Sequence, residues 1–244
     1  MEVLLVDTQF GDLSLKAIAA NLGRDVTVWP ASTARSIIGA RQALQVLDEI
    51  VTSQESWSVA VGLGFGCSVA TELVRKGIAG RAILIDPPAL LSASLEVIQA
   101  ASADIPIERT QEAERLQLEL LPGMNPSGPY PPAFYRTYAI QITDSPELQD
   151  QYAAIWSEAE ARRQPYDLEL PRRISPEDAV HLNWLDAFSD PKLDIQVWLP
   201  TERDHFREVL INMVPGRPVI QMKWGPLAWL SNPDAVAADI ATAI

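Results

Sequence analysis

Cysteine and histidine are scarce: the 244-residue chain has one Cys, Cys67, and two His, His181 and His205. A single thiol excludes an internal disulfide, and no His, Cys and carboxylate set has metal-ligand spacing, so neither a metal nor a cofactor is expected. Basic residues are also in deficit, 19 Lys and Arg against 32 Asp and Glu, for a net charge of −13. An acidic surface repels a polyanion, which excludes a nucleic-acid partner. A long hydrophobic run is missing too. The most apolar stretch, residues 59–70, is broken by glycines and far below the roughly 20 residues that cross a bilayer, so no membrane partner is expected. The start, Met1-Glu2-Val3-Leu4-Leu5, lacks the basic residues of a signal peptide and points to a cytoplasmic protein. What remains is 48% hydrophobic and 21% charged, the balance of a globular chain with a sizeable core.

Short apolar runs alternate with amphipathic stretches, as in βαβ units that feed a parallel sheet. The expected strands are Val3 to Asp7, Val26 to Trp29, Ser58 to Gly62, Ala82 to Asp86, Ile195 to Leu199 and Val219 to Met222. They are apolar at nearly every position, which fits strands covered on both faces. Helical spacing marks Leu13 to Leu22, Thr33 to Thr52, Cys67 to Lys76 and Pro233 to Ile244. The fold class is therefore α/β, a mostly parallel sheet of about six strands with helices on both faces. Between Pro87 and Asp194 no buried strand is legible, and the segment reads as an insertion. Helices are expected over Glu108 to Leu121, Pro146 to Arg163 and Pro176 to Phe188. Between the first two, Pro122, Pro126, Pro129, Pro131 and Pro132 forbid regular helix and central strand alike. Residues 1–88 and 190–244 would then form the core, and residues 89–189 a helical, proline-rich lid.

The strongest local feature is Gly62-Leu63-Gly64-Phe65-Gly66-Cys67, a glycine-rich turn between an expected strand and helix. It resembles the nucleophile elbow of the α/β-hydrolase superfamily, G-x-S-x-G, with Gly64 in the nucleophile's place. The ending Trp224-Gly225-Pro226 through Val236 is similar to the family's G-H-x-x-x-L-E-x-P-x-x-V, with Pro226 where the catalytic histidine falls. Trp198 to Asp204 resembles the acid loop and puts Asp204 at the acid position. Asp7-Thr8-Gln9-Phe10-Gly11-Asp12 stands where the family has a His-Gly turn that supplies an oxyanion-hole amide. The resemblance spans almost the whole chain, from what would be the family's third strand. It implies the α/β-hydrolase fold with a vestigial triad, Gly64, Asp204 and Pro226. Without serine or histidine, acyl-enzyme hydrolysis is not expected.

The implied site is a pocket of Phe10, Gly64, Phe65, Asp204, His205, Trp224 and Pro226, holding a small apolar or aromatic ligand. The amides of Phe65 and Phe10 are expected to face an oxyanion there. The resemblance leads to a non-hydrolytic enzyme, a cyclase, decarboxylase, isomerase or lyase in natural-product biosynthesis. Its rival is a non-catalytic ligand-binding or scaffold protein. Further alternatives are acyl transfer through Asp204, His205 or Cys67, and dinucleotide binding by Gly62, Gly64 and Gly66 with Asp86 on a ribose. Cys67 starts a helix, whose dipole would lower its pKa, yet its position turns it into packing, as a buried structural thiol. His205 is read as a solvent-facing or capping residue and His181 as part of a helix surface or lid contact. A homo-oligomer is compatible with the sequence.

Overall fold

The computed structural model describes residues 2–8, 10, 12–23, 25–29, 40–124, 130–162 and 182–244. Their order is β1 (Val3–Val6), α1 (Asp12–Leu22), β2 (Val26–Trp29), α2 (Ala40–Ser53), β3 (Trp57–Leu63), α3 (Gly66–Arg75) and β4 (Ala79–Ile85). Then come α4 (Leu95–Ala103), α5 (Ile107–Leu120), α6 (Pro132–Ile142), α7 (Pro146–Arg162) and α8 (Trp184–Ser189). The chain closes with β5 (Ile195–Leu199), α9 (Asp204–Met213), β6 (Val219–Gln221), α10 (Ala228–Ser231) and α11 (Pro233–Ala243).

The six strands form one all-parallel sheet in the order β2-β1-β3-β4-β5-β6. Strand alternation explains why the central strands are apolar at most positions. Leu4, Val6, Ala60, Ala82, Leu84, Val197 and Leu199 pack on one face with Leu73, Trp184, Phe188 and Phe206. Val3, Leu5, Val59, Val61, Ile83, Ile85 and Trp198 pack on the other with Leu15, Ile18, Val236 and Ile240. Both faces of the central strands are buried, so few of their positions are left for a polar residue. The strand order reverses between β1 and β3, which opens a crevice at their carboxyl ends.

Helices α4 to α8 fall between the neighbouring strands β4 and β5. Phe10 packs edge-on against Tyr152 and Trp156 of α7, with ring centroids 5.5 and 5.7 Å apart, so aromatic contacts join these helices to the sheet's carboxyl edge. The neck of the segment is closed by Trp184, whose Nε1 donates to the Pro88 carbonyl at 2.9 Å. Two sequence expectations change here. The prolines do not exclude helix to the end of their run, because Pro132 opens α6 at a position whose N–H needs no partner. Pro126 and Pro129 lie outside the described residues, as do the expected helical residues 33–39 and 176–181, His181 among them. Of the expected helix Pro176 to Phe188, the described part is helical from Trp184, where the Asn183 side chain accepts from Leu185 N and Asp186 N and caps it. Asp204, read as a loop residue, starts α9. Among the described residues no helix is long and apolar enough to cross a membrane.

Candidate functional site

Gly64 sits between β3 and α3 with φ +53°, a left-handed conformation that glycine adopts without strain. Its N–H donates to Ile85 O at 3.1 Å, and its carbonyl accepts from Cys67 N at 3.0 Å, which fixes the turn from both sides. The flanking glycines have a different reason. A Cβ at Gly62 would lie 2.5 Å from Cys67 Cα, and one at Gly66 would fall on the Val6 carbonyl. At Gly64 a Cβ would meet nothing within 4 Å. Of the three, only Gly64 has room for a side chain.

That room belongs to a cavity of about 130 Å³ at the carboxyl ends of β1, β3, β4 and β5. Its apolar wall includes Phe10, Leu63, Ile85, Trp224, Leu227 and Trp229, with Ile142 and Tyr152 contributed by α6 and α7. Two carboxylates interrupt that wall, Asp7 after β1 and Asp86 after β4. Asp7 is 2% exposed; it accepts from the Ser14 hydroxyl and, at 3.3 Å, from Phe10 N. Asp86 has φ +46° and donates its N–H to Trp198 O at 2.9 Å. Arg203 grips its carboxylate by a fork, Nε and Nη2 each at 3.2 Å. The Asp86 charge outweighs the burial of Arg203 and raises the guanidinium pKa further, so Arg203 stays cationic.

Cys67 lies beneath this floor, fully buried, with Sγ 3.2 Å from Gly62 O and 3.5 Å from Ile85 O. The lowering expected from the helix dipole does not prevail. Burial pushes the thiol well above its ordinary value, and the charges of Asp86 and Asp7 add to the push. A protonated, enclosed thiol is no nucleophile.

Of the residues singled out from the sequence, Phe10, Gly64 and Trp224 line this cavity and Phe65, Asp204 and His205 do not. Pro226 lines a neighbouring cavity of about 30 Å³ with Asp104, Arg109, Glu202 and Arg203. Asp204 is exposed and accepts from Gln221 Nε2 at 2.8 Å; of that loop Pro200 lines the cavity, and Arg203 acts on it only through Asp86. His205, its side chain 65% exposed, lies in the first turn of α9 and sets Nδ1 2.9 Å from Asp104 Oδ1. The Phe10 amide is taken by Asp7 and is not presented to a ligand. Sequence reasoning passed over Asp7, Arg203, Tyr152 and Trp229. A signal for Asp7 was present: Leu4-Leu5-Val6-Asp7 and Ile83-Leu84-Ile85-Asp86 are two buried strands, each ending in aspartate where open α/β sheets bind ligands. Among the described residues no group of three or more His, Cys, Asp or Glu could hold a metal ion.

An open parallel sheet with a reversal in strand order and helices on both faces is an architecture shared with known structures. An extracellular α/β-hydrolase from a Paenibacillus species superposes with TM-score 0.56 at 15% identity, over 100% of this chain and 98% of that one. A thermophilic esterase from Thermogutta terrifontis gives 0.57 at 17% identity, over 99% and 88%. The thioesterase domain from the curacin biosynthetic pathway gives 0.55 at 15%, over 98% and 90%. The chain has the α/β-hydrolase fold. No protein-family model matches the sequence, and no curated protein matches it.

Proposed function

We propose that this is a non-hydrolytic α/β-hydrolase-fold protein that encloses a small ligand, with residues 89–189 serving as a lid over the pocket. The observation that carries the reading is Gly64. The residue at the elbow has the backbone conformation of the turn and open space where a side chain would project, yet holds no atom able to attack a carbonyl. Pro226 has no proton to shuttle, and the exposed Asp204 faces no base. The Asp7 carboxylate, placed beside the elbow, would repel a developing oxyanion. Ligand binding is therefore the primary reading. Its catalytic form, a lyase, isomerase, decarboxylase or cyclase acting in specialised biosynthesis, draws support from the carboxylate of Asp86, which lines the cavity and is placed for proton transfer.

The test is labelling with a fluorophosphonate probe. The parent chain should not label. Gly64→Ser with Pro226→His should not label either, because Asp204 lies outside the cavity and cannot orient the new histidine. Stoichiometric labelling of a cavity residue in the parent would overturn the reading.

A further inference from the structure

Among the described residues both charged side chains on the cavity wall are carboxylates, Asp7 and Asp86, and they follow different strands. Around them stand Phe10, Tyr152, Trp224 and Trp229. Aromatic faces carry negative partial charge and attract a cation, and the attraction grows as water is removed. Two donors near the cavity are already committed, the Phe10 amide to Asp7 and the Trp224 indole N–H to Asp239 Oδ2 at 3.0 Å. Arg203 holds Asp86 by both oxygens but is not itself part of the wall, so it orients the carboxylate without offering an anion a partner there. The thiol of Cys67 under the floor is raised partly by the charges of Asp86 and Asp7, and so senses the same negative field.

We propose that the cavity takes an organic cation, a protonated amine or quaternary ammonium whose charge faces Asp7 and Asp86 and whose carbon groups lie against Phe10, Tyr152, Trp224 and Trp229. This rests on the reading of the cavity as a ligand pocket and replaces its ligand class, apolar or aromatic, with a cationic one. The volume of about 130 Å³ suits one compact group, since an apolar cavity of about 150 Å³ holds a benzene molecule. An anion of the same shape meets two carboxylates and the negative ring faces and is excluded.

The experiment is a calorimetric titration of the full chain with three probes of matched shape: choline, its neutral carbon analogue 3,3-dimethylbutan-1-ol, and the anion 3,3-dimethylbutanoate. Choline should bind at least about tenfold more tightly than the alcohol, and the anion should give no heat of binding. The preference should persist in high salt, which removes the diffuse attraction of any cation to a chain of net charge −13. Asp86→Asn, whose asparagine tolerates positive φ, should bring choline and the alcohol close to equal affinity. Asp7→Asn, which keeps one acceptor oxygen for Phe10 N and turns its amide NH2 to the Ser14 hydroxyl oxygen, should do the same if the first variant does not fold. Gly64→Ala should weaken every probe that binds. An alcohol bound as tightly as choline overturns the cation and leaves the pocket standing. No binding by any probe, or binding indifferent to Gly64→Ala, overturns both.

Discussion

Gly64 and Gly66 are two positions apart, yet one methyl group has opposite consequences at each. At Gly66 the new Cβ would collide with the Val6 carbonyl, which belongs to the neighbouring strand and cannot turn aside. Gly66→Ala should therefore lose about 3 kcal/mol or more, at the upper end of overpacking. Gly64→Ala meets no atom and carries only the left-handed backbone, about 1 to 2 kcal/mol. Urea denaturation of both variants checks the order, and a Gly64→Ala protein less stable than Gly66→Ala would refute it. A reader of the sequence sees three similar glycines. What separates them is the distance to β1, a strand that lies more than fifty positions earlier, and no local pattern encodes that. The same holds for Arg203 and Asp86, 117 positions apart. The aspartates themselves were legible as strand endings, but their convergence on one cavity followed only from the strand order.

The strands and most helices were legible because each carries its own periodicity, and strand boundaries moved by at most a few residues. Helix α9 was not, and its cap explains why. Its first turn is capped from outside by Asp104, at the end of α4, whose carboxylate accepts from His205 N at 2.9 Å and Phe206 N at 3.0 Å. The Asp104 side chain is 2% exposed, and its charge faces the positive end of the helix dipole. A cap supplied from 101 positions away leaves no mark on the residues beside the helix. Asp104→Ala should cost about 1 to 2 kcal/mol, and Asp104→Asn, which keeps one acceptor, markedly less. Urea midpoints measure both; an alanine variant as stable as the parent would show that α9 does not depend on this contact.

Across the molecule, Arg109 on α5 pairs with Asp144 between α6 and α7 and lies 3.6 Å from Glu202, which follows β5. Hydrogen bonding from Arg109 holds the Asp144 carboxyl below its usual range. A depressed carboxyl stabilises the fold above the ordinary carboxylate pKa, near about 3.9, and loses that contribution as pH falls through its lowered value. Asp144→Asn should therefore be less stable than the parent at pH 7, with the gap shrinking at pH 3. Denaturation at the two pH values tests it, and a gap independent of pH would assign the effect to something other than charge. The hydrogen bond from Trp184 to Pro88 acts on a larger scale, because it joins the two ends of a segment 96 positions long. The helices described between them leave the sheet at that contact as a branch and touch it again through Asp104 on α9 and Tyr152 on Phe10. Closing a loop depends only on the logarithm of its length, so doubling or halving the branch would change that term by about 0.6 kcal/mol. The six strands can keep their register while the branch is exchanged for a longer or shorter one. The same sheet can thereby carry a different branch without being refolded.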